Sequence, residues 1–501
     1  MQFPEEKNVW DGPHPRPKNR VDLSLSLEHV EEVFSGCADF ETRPLHVKGA
    51  QELGTLCWVN GMVKTERVND YILRPLAQWE GPEEGTIFQR ILEGGAWTMT
   101  VQERTDMDEV TGDLVNGCCI LFLPGEEHAL SFQVPTEEKR AVSAPEIENV
   151  MKGPKDSFTE SVRTNTSLVR RRVRTPWLRV EEQIVGRQSL TPVDVIFIQG
   201  LTDPELVAQI QQRITDIDID ALISTGNLEE YIIDNKATSF PQVLFTERPD
   251  RFCNGLMDGR VGVLIDGLPM GCLLPGDIAL FLKAPQDRSN NYAISTVLTI
   301  IRYLCMAITL LAPGFYVAVA TFHPEMIPTK LALSIISSKQ DVPFSTIFEV
   351  LTMLVAFEIL QEAGLRLPKT IGQTVSIIGG LVVGQSAVEA KIVSPVVVIV
   401  VAVAGIAGYT MPNQDFASAL RIWRFFITAA AGVAGLFGLM VCAVALVYRL
   451  AEIESFGVAY LSPFAPATGN HPRGHTILRP PLPLEKFRDM TIHPRNSRKQ
   501  K

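Results

Sequence analysis

With 501 residues, 46 Lys and Arg against 57 Asp and Glu (formal net charge −11) and 46% hydrophobic residues, the chain has room for two to four domains, and its acidity excludes nucleic acid as the main partner. Its mean hydropathy of +0.12 averages two unlike halves, a mixed-polarity first part and a strongly apolar block between Val297 and Tyr448. The eight cysteines hold no CxxC pair and no regular spacing, which argues against a disulfide framework and fits reduced, buried thiols.

Residues 1–22, rich in proline and charge, read as a mobile N-terminal segment without the apolar core of a signal peptide, so the long first region is expected to stay on the inner side. A first α/β subdomain is expected over 23–140. It holds a short amphipathic helix (Leu27–Phe34), a buried strand (Leu56–Val59) closed by Asn60-Gly61, and a helix from Val68 to Leu76. Two strands follow, Cys118–Leu123 and Ala129–Val134, joined by a tight turn at Pro124-Gly125. Residues 141–178 read as a basic linker helix, in which Phe158, Val162, Leu168 and Val169 make a broken apolar face beside Arg170-Arg171-Arg172. The plain reading is a solvated linker; the sharper one is a contact for a neighbouring subunit or an acidic lipid surface.

The same order returns over 179–290: a strand at Val195–Ile198 closed by Gln199-Gly200, then a helix opened by Asp203-Pro204 and running to about Ile214. A strand–turn–strand follows at Val261–Ile265, Asp266-Gly267 and Met270–Leu274. We therefore expect two related α/β subdomains in the soluble N-terminal region.

Residues 291–455 are expected to form an α-helical polytopic membrane domain, with 456–501 as a C-terminal tail. Four runs, Val297–Ala320, Ile371–Val388, Pro395–Pro412 and Phe425–Tyr448, carry one charge between them, Arg302. Each is near the length that crosses a hydrocarbon core. The segment Asp341–Gly364 is odd, because Glu349 and Glu358 lie nine residues apart and so on opposite helix faces. A lipid-facing charge at mid-bilayer costs about 2.5–3.5 kcal/mol, so this helix is expected to pack among others, re-entrant or buried, beside four full spans. The alternative is an interfacial helix with one Glu paired to Lys or Arg. Four spans keep the basic tail on the inner side, and five export it. Glu349, Glu358, Gln373, Gln385 and Glu389 are the candidate ion-path or gating residues, since polar groups on apolar helices suit a pore lining; Glu389 is alternatively paired with Lys391. Gly380, Gly384, Gly432, Gly435 and Gly438 have the small-residue spacing of helix-packing faces. His323-Pro-Glu325 is too sparse for a metal site, and no phosphate-binding loop, nucleophile elbow or HExxH motif occurs, so no enzyme activity, cofactor or metal is expected.

Long motifs add a resemblance. GPKDSFTESVRTNTSLVRRRVRTP (153–176), FPQVLFTERPD (240–250), GRVGVLIDGLP (259–269), LLAPGFYVAVATFHPEMIPTKL (310–331), FEILQEAGLRLPKTIGQTVSIIGGLVVGQSAVEAKIVSP (357–395) and SFGVAYLSPFAP (455–466) closely resemble the spore germination protein family of nutrient-receptor A subunits, in order across residues 25–466. The resemblance implies a multi-pass subunit of a nutrient germinant receptor in the spore inner membrane, its N-terminal region cytoplasmic. It implies as partners a transporter-like B subunit that binds the nutrient, a lipoprotein C subunit and membrane lipid. It also implies a homo-oligomeric ring whose membrane part conducts ions and triggers germination. Ala459 departs from the family's usual proline in FGVPYL. A family relative associated with the dipicolinate channel is the alternative within the family. A secondary transporter is the alternative outside it, disfavoured by few spans without an internal repeat.

Overall fold

The computed structural model describes residues 21–46, 52–77, 87–95, 100–135, 145, 148, 150–366, 382, 384–462, 464, 477–488 and 490–499. Its N-terminal half is built on two five-stranded antiparallel sheets. The first contains β1 (Phe40–His46), β2 (Glu52–Val59), β3 (Val101–Arg104), β4 (Cys118–Phe122) and β5 (Ala129–Gln133), in the order β1-β2-β4-β5-β3. The second contains β6 (Leu178–Val185), β7 (Thr191–Ile198), β8 (Leu244–Thr246), β9 (Val261–Ile265) and β10 (Gly271–Leu274), in the order β6-β7-β9-β10-β8. Counted within each sheet, the two orders are identical.

Matching turn residues sit at matching places. Gly61 and Gly200 follow the second strand of each sheet with φ of +81° and +82°, and Gly125 and Gly267 follow the fourth strand with +83° and +84°. Glycine adopts that left-handed backbone without a Cβ penalty, so the chain turns towards a helix after Gly61 and Gly200 and closes a hairpin at Gly125 and Gly267. Helix α1 (Leu27–Val33) and helix α2 (Met107–Val115) share a core cluster with the first sheet. In the second unit, alternation along β7 divides the side chains between two faces. Val193 and Val195 pack with α4 (Pro204–Thr215) and α5 (Thr225–Ile232). Ile196 packs with α3 (Val162–Arg172) and α6 (Pro249–Asp258). Asp203 caps α4 by accepting from the Glu205 N–H, with Pro204 in the first turn.

The expectation of a solvated linker helix does not hold. In α3, Asn165, Thr166, Ser167, Leu168, Val169 and Arg170 are all buried. Arg170 is held by Asp39 in two bonds of 2.6 and 2.7 Å, Arg163 reaches Glu182 and Asp194, and Arg172 reaches Asp156. Three of its four arginines are matched by acids, Asp39 of the first unit and Glu182 and Asp194 of the second among them, so α3 is packed as core.

The second half is helical. Helix α7 (Ile278–Leu282) leads into α8 (Tyr292–Phe322), about 46 Å long, which carries the run 297–320. Then come α9 (Thr329–Lys339), α10 (Thr346–Arg366), α11 (Pro395–Gly408) and α12 (Gln414–Glu452). Most of the run 371–388, with Gln373 and Gly380, lies outside the described residues. The run 395–412 yields only the 14 residues of α11, roughly 21 Å and short of a bilayer core.

Helix α12 overturns the reading of Phe425–Tyr448 as one span. Ala434 (φ −129°, ψ 19°) and Gly435 (φ +61°, ψ −143°) interrupt it. Phe416, near its start, stacks on Phe281 with ring centroids 6.2 Å apart. Ile453, just past its end, accepts from the Tyr460 N–H at 3.0 Å, and the Tyr460 ring lies 6.0 Å from the same Phe281. A straight 39-residue helix would hold its ends about 58 Å apart. The helix therefore folds back into antiparallel halves, 414–433 and 436–452, of about 30 and 26 Å. Gly435 at the tip lies against Phe322 at the end of α8. Both ends of α12 sit on the α/β platform, and so does the tail, where Arg479 donates to the carbonyls of Asp287, Arg288 and Asn290.

Candidate functional site: a platform junction and a charged seam in the helical bundle

Four aromatic rings from four chain segments meet where platform and bundle join. Phe240, Phe281, Phe416 and Tyr460 have neighbouring centroids 5.8–6.2 Å apart, and all four are buried. Below α12 the chain makes a two-stranded hairpin, β11 (Glu454–Ser455) with β12 (Val458–Ala459), turning through Phe456 and Gly457 at positive φ. Ala459 pairs with Glu454 in this hairpin. The platform grips the turn: Asp234 accepts the Phe456 N–H at 2.7 Å, and the Arg213 guanidinium stands 4.3 Å above the Phe456 ring. At the foot of α8, Arg302 donates to Asp287 at 2.8 Å. The one charge in that apolar run is therefore paired to the platform.

Glu229 of α5 lies at the same junction. Burial pushes its carboxyl up to about 7, with Asp415 of α12 and Glu230 adding to the rise and the Gln242 backbone opposing it. The folded protein then keeps a proton that the unfolded chain releases from about pH 4.5, so stability falls as pH rises from 4.5 to 7 and levels off above. Glu229→Gln is expected to flatten that slope in unfolding midpoints measured from pH 4 to pH 8. An unchanged slope would place the proton elsewhere.

Inside the bundle, α10 carries Glu349 and Glu358 on opposite faces, and each meets cations. Glu358 accepts from Arg421 at 2.6 Å and lies 3.5 Å from Arg424, so two guanidinium groups share one carboxylate. Arg424 is 1% exposed and its Nε has no hydrogen-bond partner. Glu349, fully buried, lies 3.3 Å from the Lys339 ammonium and accepts the Ser394 N–H at 2.8 Å. Gln385 donates to Glu389 at 2.8 Å, and both face outward. Lys391 pairs with Asp341 at 2.7 Å, so Glu389 is not its partner. The structure thus keeps Gln385 with Glu389 and separates Glu349 from Glu358.

The glycines divide by role. Gly432 faces Ile347 of α10 so closely that a Cβ would overlap it, and Gly384 has Val398 of α11 at 3.5 Å, both packing positions. Gly435 is the turn of α12, and Gly438 lies against the Ala430 carbonyl across that turn, so these two serve the reversal. Gly405 against Phe357 and Gly314 against Ile427 are packing glycines that spacing alone did not single out. Apolar patterning does not single out Arg421 and Arg424, because the uncharged run begins after them, at Phe425. Two arginines three residues apart, beside an apolar run and with Glu358 upstream in need of a cation, are the signal that marks them. Among the described residues no group of three or more His, Cys, Asp or Glu side chains is placed to hold a metal ion.

Compared with known proteins, residues 28–491 match the family model described as the Bacillus/Clostridium GerA spore germination protein. Spore germination protein KA of Bacillus subtilis (strain 168) is 37% identical over 446 residues, 89% of this chain and 82% of that one. The uncharacterized membrane protein YfkQ of the same organism is 36% identical over 446 residues, 89% of this chain and 86% of that one. The crystal structure of the N-terminal domain of the A subunit of the Bacillus megaterium spore germinant receptor GerK3 is 27% identical, covers 51% of this chain and 97% of that one, and has a TM-score of 0.40.

Proposed function

The chain belongs to the GerA spore germination protein family, and from that premise we propose that it is the membrane-embedded A subunit of a spore nutrient germinant receptor. In this reading it assembles with copies of itself, a transporter-like B subunit and a lipoprotein C subunit in the spore inner membrane, and conducts ions when a partner binds nutrient. Membrane embedding is supported by two helices long and apolar enough to cross, α8 and α12, and by the outward apolar side chains of the bundle. Val433, Phe437, Val444 and Tyr448 along α12 are all more than 60% exposed in the isolated chain, more apolar surface than water tolerates on a monomer. In this reading the reversal of α12 supplies two crossings, of about 30 and 26 Å, and the bundle is polytopic.

The observation that carries conduction is the Gln385–Glu389 pair. It is a hydrogen-bonded polar patch on an outward bundle face, where lipid would charge several kcal/mol for an ion but a water-filled path between copies would not. Glu349 and Glu358 are committed to cations within one chain, so in this reading they set the helix arrangement and Gln385 with Glu389 line the path.

The double variant Gln385→Leu, Glu389→Leu is expected to reach spores at the normal level and to slow nutrient-triggered potassium release at least about tenfold, a barrier change of about 1.4 kcal/mol. Dipicolinate-triggered germination serves as the unaffected control. Normal release at normal receptor level would remove this pair from the path.

A further inference from the structure

At the end of the bundle away from the platform, three helices bring oxygen atoms together. Glu349 and Thr346 come from α10, Ser394 caps the start of α11, and Tyr316 comes from α8. Glu349 and Ser394 are both 0% exposed. The Oε1 atom of Glu349, the Ser394 hydroxyl and the Tyr316 hydroxyl are buried without a hydrogen-bond partner. The Tyr316 ring packs on the apolar cluster that holds Val350 of α10 and Val397 of α11, neighbours of Glu349 and Ser394 in the chain. The other carboxylate oxygen, Oε2, takes the Ser394 N–H at 2.8 Å and so answers the positive end of α11, which leaves Oε1 free to serve a cation.

The cation now beside it is the Lys339 ammonium, 3.3 Å from Oε1 and donating to the Thr346 hydroxyl. Its side chain is 23% exposed, on a flexible stem at the last turn of α9, whereas its partner is fully buried. Lysine is a compact point charge that reaches a site from outside it, and it leaves the inner hydroxyls unmet. One carboxylate with several hydroxyl oxygens is a hard ligand set of net charge −1, which suits a hard monovalent ion; a divalent ion would be left half neutralised.

We propose that Glu349, Thr346, Ser394 and Tyr316 form a binding site for a monovalent alkali cation, with Lys339 as a tethered competitor that occupies its edge. Exchange keeps the charge balanced, because the ammonium leaves towards solvent as the ion enters. The site uses neither Gln385 nor Glu389, and its occupancy is read as binding, so it stands or falls apart from conduction.

The test uses the purified full chain in nanodiscs, with thermal unfolding followed in choline chloride, sodium chloride and potassium chloride at equal ionic strength. Lys339→Met is expected to gain roughly 3–5 °C in sodium or potassium over choline, the two salts identifying the preferred ion. The double variant Lys339→Met, Glu349→Gln is expected to gain nothing. Lys339→Gln, a polar side chain for Thr346 without the charge, is run in parallel. Variants that unfold in choline and fold in sodium or potassium also support the site. Equal midpoints in all three salts, the same gain in the double variant, or unfolding in every salt would each overturn it.

Discussion

Asp39→Ala is expected to lower the unfolding midpoint of the α/β platform by roughly 10 °C, the equivalent of about 3–5 kcal/mol for leaving a buried charge without its partner. Asp39 is 0% and Arg170 1% exposed, and the two meet in a bidentate pair that joins the first unit to α3. Around it the second unit grips the same loop of the first: the Ala38 N–H donates to the Val180 carbonyl at 2.8 Å, and Arg179 donates to the carbonyls of Val33 and Ser35. Truncating Asp39 strands the Arg170 guanidinium in a core from which water is excluded. Its Nη1 already lacks a partner, so it has nowhere to turn. The double variant Asp39→Leu, Arg170→Met removes both charges and is expected to recover most of the loss. A single-variant drop of only a degree or two would mean a pair worth under about 1 kcal/mol, as at a solvated surface.

That pair also marks the limit of what the residues disclose before folding. Turn and cap chemistry is local, so Asn60-Gly61, Gln199-Gly200, Asp266-Gly267 and Asp203-Pro204 announced themselves, and the structure places turns and a helix start there. The strands β1 and β3 were not announced. Phe40–His46 includes Arg43 and Pro44, and Val101–Arg104 carries two charges, as sheet-edge strands do to deter further pairing. The burial of α3 was hidden for a different reason. Its acid partners lie up to 131 residues away, and a basic helix looks solvated until they are found. In the bundle, apolar length alone does not separate one span from a hairpin. The tip of α12 is two residues, Ala434 and Gly435, inside an unbroken apolar run, and the two arginines of the seam lie just outside the run's edge.

Gly435→Val is expected to have the larger consequence for the bundle, because it attacks the reversal of α12 itself. At φ +61°, ψ −143° the backbone is in a region open essentially to glycine, and another residue is strained there by about 1–3 kcal/mol. An added Cβ also meets Phe322 at 3.1 Å. The way out of the strain is to continue the helix, and a continued helix carries Ile453 and Tyr460 some tens of ångströms from Phe281, which dismantles the aromatic junction. We expect this variant to fail to accumulate in spores and to abolish the nutrient response. Phe322→Ala is expected not to rescue it, since backbone and not contact is at fault. Gly432→Ala supplies the contrast: its Cβ would overlap the Cδ1 and Cγ1 atoms of the Ile347 side chain while the backbone stays helical, so its defect is expected to be smaller and to be relieved by Ile347→Ala. Receptor level by immunoblot and unfolding midpoint of the purified chain measure both arms. A Gly435→Val protein that accumulates and melts like the unaltered one would show that the reversal does not depend on glycine, and the paired anchoring of α12 on the platform would need another cause.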